Sequence, residues 1–238
     1  DIEGVDAAHK LAILAGIGFG ARVDFDHVAA TGIGEVRAAD ITQAESLGYV
    51  IRLVGIASLD RSEKRPTLLQ RVRPCLVGRG HPLAAVAGPT NAVVAEGNFV
   101  GRLLFQGAGA GAGPTASAVV ADLIDIARGD SGAPFSVPVE QLEQFAPADP
   151  GNRIGRDYIR FTVNDRPGVL AEITAAMRDA EVSIESLIQR GRDHEGGEVL
   201  VAMVTHEGPE RCVAKALDLL DGSPSLTAPP LVMPILKD

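Results

Sequence analysis

The sequence predicts a mixed protein, α+β / α/β in class, with a mixed-sheet domain over residues 1–129, a linker over 130–156 and a βαββαβ module over 157–238. Three observations predict it. Helical and strand periodicities alternate up to about Arg128. A stretch rich in Gly, Pro and polar residues then follows, "GDSGAPFSVPVEQLEQFAPADPGNRIGRD". From Tyr158 onward the alternation tightens into short, evenly spaced elements.

Taken in order, "GVDAAHKLAILAGIGFG" reads as a helix, since Val5, Ala8, Leu11 and Leu14 or Ala15 recur at helical spacing and Gly18 and Gly20 end it. "AADITQAESLG" is a short helix stopped by Gly48. "YVIRLVGIASL" and "LLQRVRPCLVG" are β-rich runs joined by the charged turn "DRSEKRP". "NAVVAEGNFVGRLLFQG" is a strand pair turning at Gly97-Asn98, and "PTASAVVADLIDIARG" is a helix with Pro114 at its first position and Gly129 past its end. In the module, "YIRFTVN" alternates with Ile159, Phe161 and Val163 on one face, and "GVLAEITAAMRDA" is an amphipathic helix. "VSIESLIQR" and "EVLVAMVTH" are strands around the loop "GRDHEGG", "GPERCVAKALDLLDG" is a second helix, and "LVMPIL" closes an antiparallel four-stranded sheet with both helices on one face.

Composition narrows the function. A net charge of −9 with no basic stripe argues against nucleic-acid binding, which needs clustered Lys and Arg for phosphate contacts. No apolar run approaches the ~20 residues of a membrane span, and no secretory leader is visible. Cys75 and Cys212 lack metal-ligand spacing and read as reduced thiols of a cytoplasmic protein, with no metal site expected.

Three stretches carry candidate chemistry. In "DIEGVDAAHK", Asp6 and Lys10 share a helix face. The spacing fits an ordinary exposed ion pair equally with an acid–base pair, because Lys10 borders the apolar Leu11, Ile13 and Leu14 and Gly4 permits close backbone approach. His9 points about 100° away from Lys10 and reads as a packing residue. "GAGAGAGP" formally fits a dinucleotide fingerprint, but no βαβ unit follows it. It reads instead as a run of small residues that lets backbone approach a ligand at a helix start, with Thr115 a cap. In "VNDRPGVLAEI", Asn164, Asp165 and Gly168 fit either an amino-acid site at a helix start or a turn in which they serve geometry alone.

The opening string follows the pattern D-[aliphatic]-x-G-x-D-x-x-x-K, and in this it resembles the second half of the signature of homoserine dehydrogenases. "HPLAAVAG", "NAVVAEGNFVG" and "GAGAGPTASAVVADLIDIAR" resemble the same family in the same order, so the likeness covers Asp1 to Arg128. The resemblance implies NAD(P)-dependent interconversion of L-homoserine and L-aspartate 4-semialdehyde, in the synthesis of threonine, methionine and isoleucine. It implies that Lys10 is the catalytic proton donor and acceptor, that Asp6 and Asp1 are substrate-binding, and that Gly111 approaches the nicotinamide cofactor. It also implies a nucleotide-binding domain upstream of Asp1, on which the 110–129 helix packs; this chain alone is then expected to be inactive. The C-terminal module resembles ACT domains, ferredoxin-like modules that bind amino acids. That likeness implies a regulatory ligand at Asn164, Asp165 and Gly168, with threonine expected, and a homo-oligomer pairing through "VSIESLI". The alternative is a non-catalytic amino-acid sensor built on the ACT domain.

Overall fold

The structure, a computed structural model, describes residues 2–62, 64–130, 132–190 and 198–237. Its elements are α1 (Val5–Phe19), β1 (Ala29–Ala30), α2 (Ala38–Ser46), β2 (Tyr49–Asp60), β3 (Thr67–Gly78), β4 (Thr90–Gly97), β5 (Gly101–Ala108) and α3 (Ala112–Arg128). There follow β6 (Ala146–Pro147), β7 (Ile154–Asn164), α4 (Val169–Asp179), β8 (Ile184–Arg190), β9 (Glu198–Thr205), β10 (Gly208–Pro209), α5 (Glu210–Leu219) and β11 (Leu226–Ile235). The fold class is the expected one: a mixed sheet followed by the βαββαβ module.

The β2–β3 hairpin pairs in register from Tyr49–Gly78 to Asp60–Thr67. The module's strands are ordered β11-β7-β9-β8, all antiparallel, which puts β8 at the edge. The sequence does not reveal that these two sheets are one. The outer edge of β3 is tiled by three short parallel partners: β6 at Thr67 and Leu68, β1 at Arg71 and Val72, and the end of β11 at Leu76. Ile235 pairs with Leu76, and the Leu236 N–H donates to the Leu76 carbonyl at 2.8 Å. A nine-stranded sheet results, covered on both faces.

One face carries α1 and α2. Ala8 and Leu11 of α1 pack on Val72, while Ala44 of α2 joins Leu76, Tyr158, Ala202, Val204 and Met233. The other face of the module carries α4 and α5 over Ile159, Phe161, Val163, Val201 and Met203. The segment between the two sequence blocks packs as well, burying Leu142 and Phe145. The α1 stripe differs from expectation: Ala8, Leu11, Ala12, Ala15 and Gly16 are buried, whereas Val5 and Leu14 face outward. Small residues let the helix lie close to the hairpin, and Gly55 of β2 sits directly beneath Leu11.

The β4–β5 hairpin forms a separate two-stranded sheet, and α3 has no buried residue. Val119, Val120, Leu123, Ile124 and Ile126 are all exposed on α3, as are Leu103, Leu104 and Phe105 on β5. An amphipathic helix with an uncovered apolar stripe is built to pack against something further.

Candidate functional site

The start of α1 is fixed by two glycines. Gly4, the residue before the helix, adopts φ 77°, and a Cβ built there would lie 3.1 Å from Val72 Cγ1. Left-handed backbone and close approach are both needed, so both uses open to a glycine at this position are realised. Gly32 supports the same turn from outside: a Cβ there would meet the Ile2 carbonyl at 2.5 Å. The Ile2 carbonyl also accepts from the Ile33 N–H, and the Thr31 N–H donates to Val72.

On the helix so placed, Lys10 Nζ donates to Asp6 Oδ2 at 2.7 Å, with both side chains more than half exposed. The hydrogen bond from Lys10 holds the Asp6 carboxyl below the usual carboxylate range. The pair therefore presents a fixed anion and an amine side by side, open to solvent on the side away from the hairpin. His9 lies against Phe25 with ring centroids 4.0 Å apart, a packing role. Asp1 lies outside the described residues.

The glycine run ends at the α3 start. Gly111 precedes the helix with φ 119° and ψ 158°, backbone that only glycine adopts without strain, and a Cβ there would find only Pro114 Cδ within reach, at 3.7 Å. The helix starts at Ala112, so Pro114 stands third rather than first and Thr115 lies inside the first turn, not at the cap. Gly109 is glycine for another reason: a Cβ would collide with the Asn91 side-chain amide.

In the module, Gly168 caps α4 with φ 95°, and its carbonyl accepts from the Glu172 N–H. Asn164 ends β7, and its Nδ2 donates to the Pro224 carbonyl at 3.2 Å; Asp165 follows half-buried. The loop is tied further. Glu172, in the first turn of α4, accepts from the Ser223 and Ser225 hydroxyls, which hold its carboxyl below the usual range, and Arg166 Nη2 donates to Ser225 Oγ at 2.7 Å.

Two ion clusters lie apart from the residues singled out by sequence pattern. Asp40, fully buried in α2, accepts from Tyr158 Oη at 3.0 Å and pairs with Arg160 Nε at 2.9 Å. Burial, then the Asp40 charge, pushes the Tyr158 phenol up. On the opposite face, Glu210 accepts from Arg71 and Arg73 at 2.9 Å each and from Arg153 at 3.1 Å. Burial alone would raise the Glu210 carboxyl, but the Arg71 hydrogen bond and the three guanidinium charges outweigh it and leave it lowered. Asp157 beside them is raised, chiefly by burial. The arginines at alternate positions of "LQRVRPC" were the available signal, since two charges on one face of an apolar strand need a partner. Among the described residues no cluster of His, Cys, Asp or Glu could hold a metal, and no helix is long and apolar enough to cross a membrane.

Comparison with known proteins places these features in a family. The homoserine dehydrogenase family model matches residues 1–124, and the ACT domain model matches 158–218. The homoserine dehydrogenase of Synechocystis is 38% identical over 243 residues, covering 100% of this chain and 56% of the relative. That of Pseudomonas aeruginosa is 38% identical over 235 residues, covering 96% and 53%. Among solved structures, a homoserine dehydrogenase from Thiobacillus denitrificans superposes with a TM-score of 0.85 at 36% identity, over 100% of this chain and 54% of the other. One from S. aureus does so with a TM-score of 0.65 at 27% identity, over 100% and 55%. The chain spans about half the length of the curated relatives it matches.

Proposed function

Because the chain belongs to the homoserine dehydrogenase family, we propose that it supplies the substrate-binding and regulatory part of an enzyme interconverting L-homoserine and L-aspartate 4-semialdehyde with NAD(P). The observation that carries this reading is the Asp6–Lys10 pair at the exposed face of α1, seated on Val72 through Gly4.

Asp6, already ionised through its bond to Lys10, is suited to the substrate's ammonium. As that ammonium takes over Asp6, Lys10 is released toward the substrate oxygen; once its own ammonium proton has passed to solvent it accepts the hydroxyl proton in oxidation, and in its ammonium form it returns a proton to the carbonyl oxygen in reduction. The family resemblance assigns Asp1 as a further substrate-binding carboxylate. A bound nicotinamide would supply the hydride acceptor or donor for the substrate's C4. Gly111 fits a role beside it, since its backbone offers a face with no side chain and open space around it. The exposed apolar stripe of α3 fits packing against a nucleotide-binding domain contributed by the rest of the enzyme, so this chain alone does not turn over. Asn164, Asp165 and Gly168 form the regulatory site for an amino acid, threonine first, and the edge strand β8 pairs copies into a homo-oligomer. The setting is cytoplasmic amino-acid synthesis.

The test is steady-state oxidation of L-homoserine by the enzyme containing this chain, with NAD+ and with NADP+. Turnover with at least one supports the proposal, and none with either overturns it.

A further inference from the structure

The helix α5 and the loop that follows it run from the strand β3 beneath α1 to the module's ligand loop. At its far end, the loop that follows it carries Ser223 and Ser225, whose hydroxyls hold Glu172 at the start of α4, while Ser225 also takes Arg166 and the Pro224 carbonyl takes Asn164. Lys215 Nζ binds the Asp179 carbonyl at 3.0 Å, fastening α5 to the end of α4. At its near end the first residue is Glu210, whose N–H donates to the Arg153 carbonyl at 2.9 Å and whose carboxylate spans Arg71 and Arg73.

Those two arginines flank Val72 on β3. Side chains alternate along a strand, so Arg71 and Arg73 leave one face and Val72 the other. Val72 is fully buried against Gly4, Ala8 and Leu11. A single strand position thus separates the Glu210 clamp from the turn that sets Asp6 and Lys10. Arg73 Nη2 also donates to the Val232 carbonyl of β11 at 2.8 Å, so the clamp grips the seam between the two sheets. Arg71 is 4% exposed at its side chain, and its Nε and Nη2 have no partner among the described residues; Glu210 supplies its one carboxylate contact. A helix is stiff along its axis and 10 residues reach about 15 Å, so α5 cannot absorb a shift at one end without passing it to the other.

We propose that α5 is the coupling rod between the module's ligand loop and the α1 site, with Glu210 as the residue through which it acts on β3. Glu210 is a positioning residue: it touches no substrate and sets α1 through Arg71, Arg73 and Val72. The inference rests on the reading of α1 and the Asn164–Gly168 loop given above. A ligand moves the equilibrium only by binding two positions of this rod unequally.

Two measurements test it, one of them independent of catalysis. In this chain, Glu210→Gln should speed amide hydrogen exchange across α1 on the order of tenfold while α4 keeps its protection, and Glu210→Asp should restore part of the difference. Unchanged exchange in α1, or a loss spread equally over every element in both variants, would overturn the proposal. In the complete enzyme, with L-threonine as probe, Glu210→Gln should lose most of the inhibition and, because α1 loosens, raise the KM for homoserine, with Glu210→Asp restoring part of both. Inhibition equal to that of the unmodified enzyme would overturn it. Should threonine leave the unmodified enzyme untouched, the ligand assignment fails, and the exchange comparison still decides whether Glu210 holds α1.

Discussion

Asp40 and Cys75 show how much single buried groups decide here. Removing the carboxylate in Asp40→Ala leaves Arg160, 3% exposed at its side chain, without its ion pair and the Tyr158 hydroxyl without its acceptor. Breaking a buried pair from one side costs about 3–5 kcal/mol, so chemical denaturation of this variant should show a loss of that order. Cys75 is fully buried, and burial pushes its thiol up to about 11. It should resist alkylation of the native chain at mildly alkaline pH while the partly exposed Cys212 reacts, a difference that mass spectrometry reads directly. The buried Asp40 was not legible in the sequence, and of the clamp only the need for a partner at Arg71 and Arg73 was, not Glu210 itself. "AADITQ" reads as a plain helix start, and nothing local says that Asp40 faces an arginine 120 residues on. Asp6 and Lys10 were legible because helical spacing alone brings them together.

The elements themselves followed their local patterns closely, and the departures have physical causes. The two module helices and four strands appear in the expected order, because each buries one face against its neighbours, but β7 and β11 start earlier than the expected runs, at Ile154 and Leu226. The buried stripe of α1 turned by about one position, since Ala12, Ala15 and Gly16 pack closer to the hairpin than Leu14 could. At α3 the helix starts earlier than Pro114 suggests, because Gly111 takes backbone that other residues avoid. Gly111→Ala should therefore cost about 1–3 kcal/mol of backbone strain. Space for the methyl exists, so the variant should fold, and its effect in the enzyme should fall on the KM for NAD(P) more than on that for homoserine. Equal effects on both would place Gly111 away from the cofactor.

The molecule as a whole is joined where its sequence suggests two parts. Leu76 and Ile235 fuse the sheets, α2 covers the back of the module, and ion clusters brace the seam from both faces. Pairing of β3 with β11 is invisible to periodicity, because it depends on which edge a strand presents rather than on its pattern. The chain has no Trp, and of its two tyrosines Tyr158 is in the core around Leu76 with Tyr49 packed against it, so tyrosine emission reports on the seam. Unfolding in urea should give coincident transitions by tyrosine emission and by far-ultraviolet circular dichroism; an earlier tyrosine transition would mean that the module separates before it melts.

Lys10 offers the most direct test of the account, because its ion pair is exposed and its loss should leave the fold intact. In the complete enzyme, Lys10→Ala should lower kcat by roughly 10²–10⁴-fold, the usual weight of acid–base catalysis, with the unfolding midpoint unchanged. A kcat equal to that of the unmodified enzyme at an unchanged midpoint would contradict the assignment of proton transfer to the α1 pair.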